Sequence, residues 1–199
     1  MARLAAIDPK QATGRAKELL DAVHAKLGIT PNMMRTMAAS PVVLEGYLGL
    51  SGALAGGRLP AKFREAIALA VAQVNGCDYC LAAHAALGRL AKLSEREIAQ
   101  SRRHASDDPR TAAALDFAAA LAMGHGDARD ATFARVHDAG WSDGEIAEII
   151  AAVALNVFTN YFNEAAGVAV DFPLRRLSDA RPPEDFHLLR RAGYEESPP

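Results

Sequence analysis

The chain has 199 residues and a formal net charge of −2, with half of its residues hydrophobic but only 6% aromatic. That charge excludes a broad electrostatic nucleic-acid surface, which needs clustered Lys and Arg. The residue count allows a core to form without staples, and much of the apolar content is alanine, the best helix former. The expected fold class is therefore all-α, with small residues letting helices pack closely.

In chain order, Pro9 to Leu27 reads as an amphipathic helix, and Pro31-Asn32 reads as its break. Ser40-Pro41 supplies an N-cap and a first-turn proline for a helix to about Ala55, which Gly56-Gly57 ends. Pro60 opens the next helix, whose apolar positions Phe63, Ile67, Ala70, Val71 and Val74 keep helical spacing until Asn75-Gly76. Another runs from Cys77 to about Leu90. Ser94 with Glu97, and Ser142 with Glu145, are capping boxes, and Asp108-Pro109 starts a helix to about Met123. A short helix is expected over Asp130 to Asp138. A strongly apolar one follows over Glu145 to Leu155, with a further helix from Asn156 to Ala166.

From Asp171 the sequence turns charged and proline-rich. Residues 1–175 read as one helical domain, and 176–199 as an arm with a short helix near Asp185 to Arg191, packing on a neighbouring subunit. No continuous h-region opens the sequence, and the run from Ile146 to Phe158 is cut by Glu148 and Asn156. The expectation is a cytoplasmic protein with no membrane and no nucleic acid among its partners.

The two cysteines, Cys77 and Cys80, stand three residues apart. A structural staple gains most by closing a long loop, so this pair suits chemistry in a reducing compartment better than scaffolding. With Cys77 at a helix start, Cys80 falls at about 300° and His84 at about 340° around the helix, all on one face. Helix N-terminal amides favour a thiolate, and an imidazole four residues on can take its proton. Oxidation of one sulfur to a sulfenic acid, then condensation with the other, gives a disulfide. Glu65 lies on the preceding helix, and Gly76 lets the two helices fold back as a hairpin, bringing the carboxylate toward His84. Two other readings stay open here: a pair of core cysteines in an alanine-rich interior, and a zinc site built from Cys77, Cys80, His84 and Glu65. Asn156, Asn160 and Asn163 share a helix face and read first as polar glue between helices, second as pocket lining.

The segment REAIALAVAQVNGCDYCLAAH, Arg64 to His84, resembles the alkylhydroperoxidase D-like core of the carboxymuconolactone decarboxylase family: glutamate, eleven residues, CxxC, three residues, histidine. GITPNMMRTMAASPVV and VFTNYFNEAAGVAVDFP are similar to its peroxidase-related branch, so the likeness spans about residues 15 to 175. The resemblance implies an all-helical bundle with a catalytic helical hairpin, assembling as a trimer or hexamer. It implies a thiol peroxidase that reduces a hydroperoxide with electrons from a dithiol donor and needs no haem, flavin or metal. It further implies a proton relay from Glu65 through His84 to Cys80, with Cys77 closing the disulfide. Well-studied members carry histidine directly before the second cysteine, where this chain has Tyr79. Decarboxylase members lack the CxxC, which makes a lyase the lesser alternative. A dithiol-disulfide oxidoreductase or redox-sensing module is the nearer one.

Overall fold

A computed structural model describes residues 2–172; the expected 176–199 arm and its helix near Asp185 lie outside the described residues. Among those described there are helices and no strands. The helices are α1 (Gly14–Leu27), α2 (Asn32–Met37), α3 (Pro41–Ala55), α4 (Ala61–Asn75), α5 (Asp78–Leu90), α6 (Glu95–Arg102), α7 (Pro109–Met123), α8 (Asp130–Asp138) and α9 (Asp143–Ala166).

Helix α4 sits at the centre and packs against α5, α6, α7 and α9. Every residue from Ala66 to Ala72 is buried, so the helix is enclosed on all sides rather than amphipathic. Its alternating alanines let the neighbouring helices approach, while Ile67, Leu69 and Val71 fill the spaces between them. Each such fully buried aliphatic side chain contributes about 1.5–3 kcal/mol of burial. On one side α4 joins Leu115, Phe117, Ile146 and Ile149 of α7 and α9, with Trp141 stacked on Phe63 at 4.7 Å and Arg110 lying over the indole at 3.9 Å. On the other side Ala72 meets a cluster of Leu20, Met33, Met37, Leu44 and both cysteines.

The local stop and start signals act as expected at α6 and α9, where both reciprocal capping boxes form, and at α7, where Asp108 accepts from the Thr111 N–H at 3.0 Å. Gly57 matters for a different reason: a Cβ there would meet the Glu148 carboxylate at 2.5 Å. That carboxylate accepts the N–H groups of Arg58 and Leu59, which fixes the entry to α4.

Four expectations differ from the structure. The first helix begins at Gly14, not Pro9, because Asp8 folds the preceding residues into turns. Ser40 precedes α3 without a side-chain cap. Pro31-Asn32 does not merely break the chain but opens α2, whose first N–H groups are satisfied from afar: Asn32 by Asp171 at 2.6 Å and Met33 by the Tyr79 hydroxyl at 3.3 Å. The expected boundary at Asn156 is absent, since α9 is one helix. By length and composition α9 could cross a membrane, yet one face carries buried Asn156, Thr159, Asn160 and Asn163 and packs on α4.

Candidate active site

The α4–α5 hairpin turns on Gly76, at φ +66° and ψ +31°, a left-handed conformation that costs glycine nothing. Cys77 follows as the N-cap of α5, its Sγ accepting the Cys80 N–H at 3.2 Å. A cysteine sulfur thus takes the place that Ser or Asp holds at other helix starts. One helical turn then places Cys80 against Cys77, and the two form a disulfide with Cα atoms 5.3 Å apart. Both are buried, Cys77 completely.

His84 lies one turn beyond Cys80, and its Nδ1 is 2.8 Å from Oε2 of Glu65 on α4. Both side chains keep about a fifth of their surface exposed, 21% for His84 and 20% for Glu65. A carboxylate only accepts hydrogen bonds, so Nδ1 carries the proton. In the neutral imidazole that leaves Nε2 as the free base. The structure therefore joins the four residues that the sequence singles out as two pairs, Cys77 with Cys80 and Glu65 with His84, the second pair meeting α5 one turn after the first. Among the described residues no group of three or more His, Cys, Asp and Glu converges as a metal site.

Three further side chains complete the surroundings. Tyr47, from α3, is hydrogen-bonded to Ser51 and faces the Glu65 charge; burial, and then that charge, push its phenol above the ordinary value. Its spacing of four from Ser51 on a largely apolar helix is the sequence signal that could have found it. Tyr79 packs edge-on against Phe172 at 5.7 Å and accepts the Met33 N–H. Burial pushes its phenol well above the ordinary value, with the Asp171 charge adding to that. Tyr79 thus holds the start of α2 and packs on Phe172, and its phenol stays protonated through the physiological pH range. Asn163, from α9, points its Nδ2 at Cys80 Sγ from 3.3 Å.

The carboxymuconolactone decarboxylase family model matches residues 41–122, from α3 to the end of α7, with the CxxC hairpin inside it. That segment, under half of the chain, is similar to the family. The alkylhydroperoxidase AhpD core of an uncharacterized peroxidase-related protein from Ralstonia eutropha JMP134 has 25% identity, 96% coverage of both chains and a TM-score of 0.75. A peroxidase-related protein from Silicibacter sp. TM1040 has 24% identity over 85% of this chain and 94% of its own, with a TM-score of 0.71. The debrominase Bmp8, solved as a cysteine-to-alanine variant with 2,3,4-tribromopyrrole, has 20% identity over 84% of this chain and 91% of its own, with a TM-score of 0.74. No curated protein matches the sequence. The all-α alkylhydroperoxidase D-like fold is common to these chains, and it carries more than one chemistry.

Proposed function

We propose that this protein is a cofactor-free thiol peroxidase, reducing a hydroperoxide through the Cys77–Cys80 pair. The observation that carries the reading is the dithiol pair at the start of α5 with the His84–Glu65 hydrogen bond one turn away. In the reduced protein the Cys80 thiol gives its proton to His84, whose imidazolium Glu65 stabilises. The thiolate attacks the terminal oxygen of ROOH. An S–O bond forms, the O–O bond breaks, and the alkoxide leaves as ROH with the proton held by His84. The Cys77 sulfur then attacks Cys80 Sγ. The S–S bond forms, and the sulfenic oxygen departs as water with the Cys77 proton. A dithiol donor returns two electrons and two protons by exchange, which restores both thiols. The cycle asks for no haem, flavin or metal.

A homo-oligomer, trimer or hexamer, in a reducing cytoplasmic setting fits this reading. Helix α3 buries only Leu44 among its residues, and Val42, Leu50, Ile150, Phe158 and Tyr161 stand exposed on α3 and α9. The alternative is a redox-sensing dithiol with little turnover, which the burial of both sulfurs favours, since exchange with a bulky donor needs access. Dithiol-dependent consumption of an organic hydroperoxide, compared between the unmodified chain and Cys80→Ser, separates the two. Turnover lost in Cys80→Ser supports the peroxidase. A disulfide that forms once with peroxide, without continued turnover, supports the sensor.

A further inference from the structure

Three buried asparagines line one face of α9, and they are not equivalent. Asn156 gives its Nδ2 to the Ala152 carbonyl of its own helix at 2.8 Å. Asn160 accepts from Asn75 Nδ2 at 2.9 Å and so ties α9 to the end of α4. Asn160 is thus the polar glue between helices that the sequence suggests, and Asn156 is satisfied within its own helix. Asn163 is neither. Its Nδ2 lies 3.3 Å from Cys80 Sγ and 3.4 Å from the Met33 thioether sulfur, and only 3% of the residue is exposed.

Neither a thioether nor a disulfide sulfur has a hydrogen to give, so the carboxamide must turn its N–H₂ end toward them. Its Oδ1 is then buried with no partner among the described residues, and so is Asn160 Nδ2 one turn away on the same face. A buried polar atom left unpaired is costly, and a native structure keeps one for a reason. Here an unpaired acceptor and an unpaired donor stand one turn apart on the α9 face that sets Asn163 Nδ2 against Cys80 Sγ. A hydroperoxide offers the matching set: one O–H donor and oxygen lone pairs.

We infer that Asn163 is a catalytic residue of the thiol site, its Nδ2 stabilising the Cys80 thiolate and its Oδ1 taking the O–H of the hydroperoxide. The inference rests on the peroxidase reading for its second half only. With the terminal O–H held by Oδ1, the oxygen that Cys80 attacks is the one bearing that hydrogen. The S–O bond forms on it, and the leaving alkoxide takes its proton from His84. Asn163 itself is neither protonated nor consumed.

The test uses the full chain carrying Cys77→Ser, so that Cys80 alone titrates and serine keeps the cap of α5. Thiolate absorbance near 240 nm is followed against pH with Asn163, with Asn163→Leu, and with Asn156→Leu as the control on the same helix face. Loss of a hydrogen bond to an anion raises the Asn163→Leu midpoint by about one to two pH units. Asn156→Leu leaves it in place. Above both midpoints, the rate with an organic hydroperoxide relative to that with iodoacetamide falls about tenfold in Asn163→Leu, because only the peroxide uses Oδ1. Should the leucine variant not fold, Asn163→Ala carries the same two readouts. An unshifted midpoint with an unchanged rate ratio overturns the inference. If the unmodified chain does not react with hydroperoxide, the peroxidase reading fails instead, and the midpoint alone decides whether Asn163 supports the thiolate.

Discussion

The Glu65–His84 pair gives a quantitative expectation for Glu65→Gln. Glutamine matches glutamate in size and in helix propensity, so α4 should form as before. Its amide oxygen still accepts from His84 Nδ1, now 2.8 Å from the carboxylate. What disappears is the negative charge beside the imidazolium that the proposed proton transfer from Cys80 to His84 creates. A hydrogen bond to a charged group is worth about 1.5–3 kcal/mol, and a pair this shielded from solvent keeps most of that. Each 1.4 kcal/mol is tenfold, so Cys80 should react about 10- to 100-fold more slowly wherever a base must take its proton. An ordinary cysteine titrates at about 8.5, so the defect is full near pH 7 and fades above about pH 9, where the thiolate forms unaided. The assay is the rate of Cys80 alkylation and of its oxidation by hydroperoxide, from pH 6 to 10, in reduced protein. His84→Asn should follow the same profile with a larger loss. Circular dichroism and thermal melting show whether the folds match. Superimposable pH profiles for all three proteins would refute the relay, even if the disulfide still forms.

The acid limb of stability should follow Glu97 and Glu145. The ammonium group of Lys62, then Ser94, holds the Glu97 carboxyl down to about 2; the Ser142 N–H and hydroxyl, then Arg110, do the same for Glu145. A lowered carboxyl contributes stability that is present above about 4.5, its unfolded value, and lost as pH falls toward about 2. Glu97→Gln and Glu145→Gln keep the capping box but lose its charge, so each should cost about 0.3–1 kcal/mol in urea unfolding at pH 7 and almost nothing at pH 2. Gly76→Ala has open space around the new Cβ but a φ of +66°, so backbone strain alone should cost about 1 kcal/mol, read as a lowered thermal midpoint. Tyr79→Phe should cost about 1 kcal/mol through the orphaned Met33 N–H, yet leave Cys80 alkylation within about twofold. A Cys80 rate that drops tenfold would return Tyr79 to the chemistry. Light scattering should give a mass of three or six times 21.1 kDa, and Val42→Glu on the exposed face of α3 should lower it.

What could be read from the sequence was whatever a short stretch of chain decides by itself. The capping boxes at Ser94 and Ser142, the Asp108-Pro109 start and the αL stop at Gly76 depend on neighbours within four residues, and all appear where their spacing puts them. Glu65, Cys77, Cys80 and His84 were legible for the same reason: twenty residues of one hairpin hold them, and helix geometry fixes their relative angles. Helix α2 was not legible, because its N–H groups are satisfied by Tyr79 and Asp171, 46 and 139 residues away, and Pro31-Asn32 looks like a stop without them. The same distinction divides the three asparagines of α9. Their shared face follows from spacing, but their partners do not: Asn156 turns back to a carbonyl of its own helix, Asn160 meets an amide of α4, and Asn163 meets the Cys80 sulfur of α5, 83 residues earlier. Periodicity says which side chains turn inward. It does not say which atom each will meet, and at Asn163 that atom is the sulfur of Cys80.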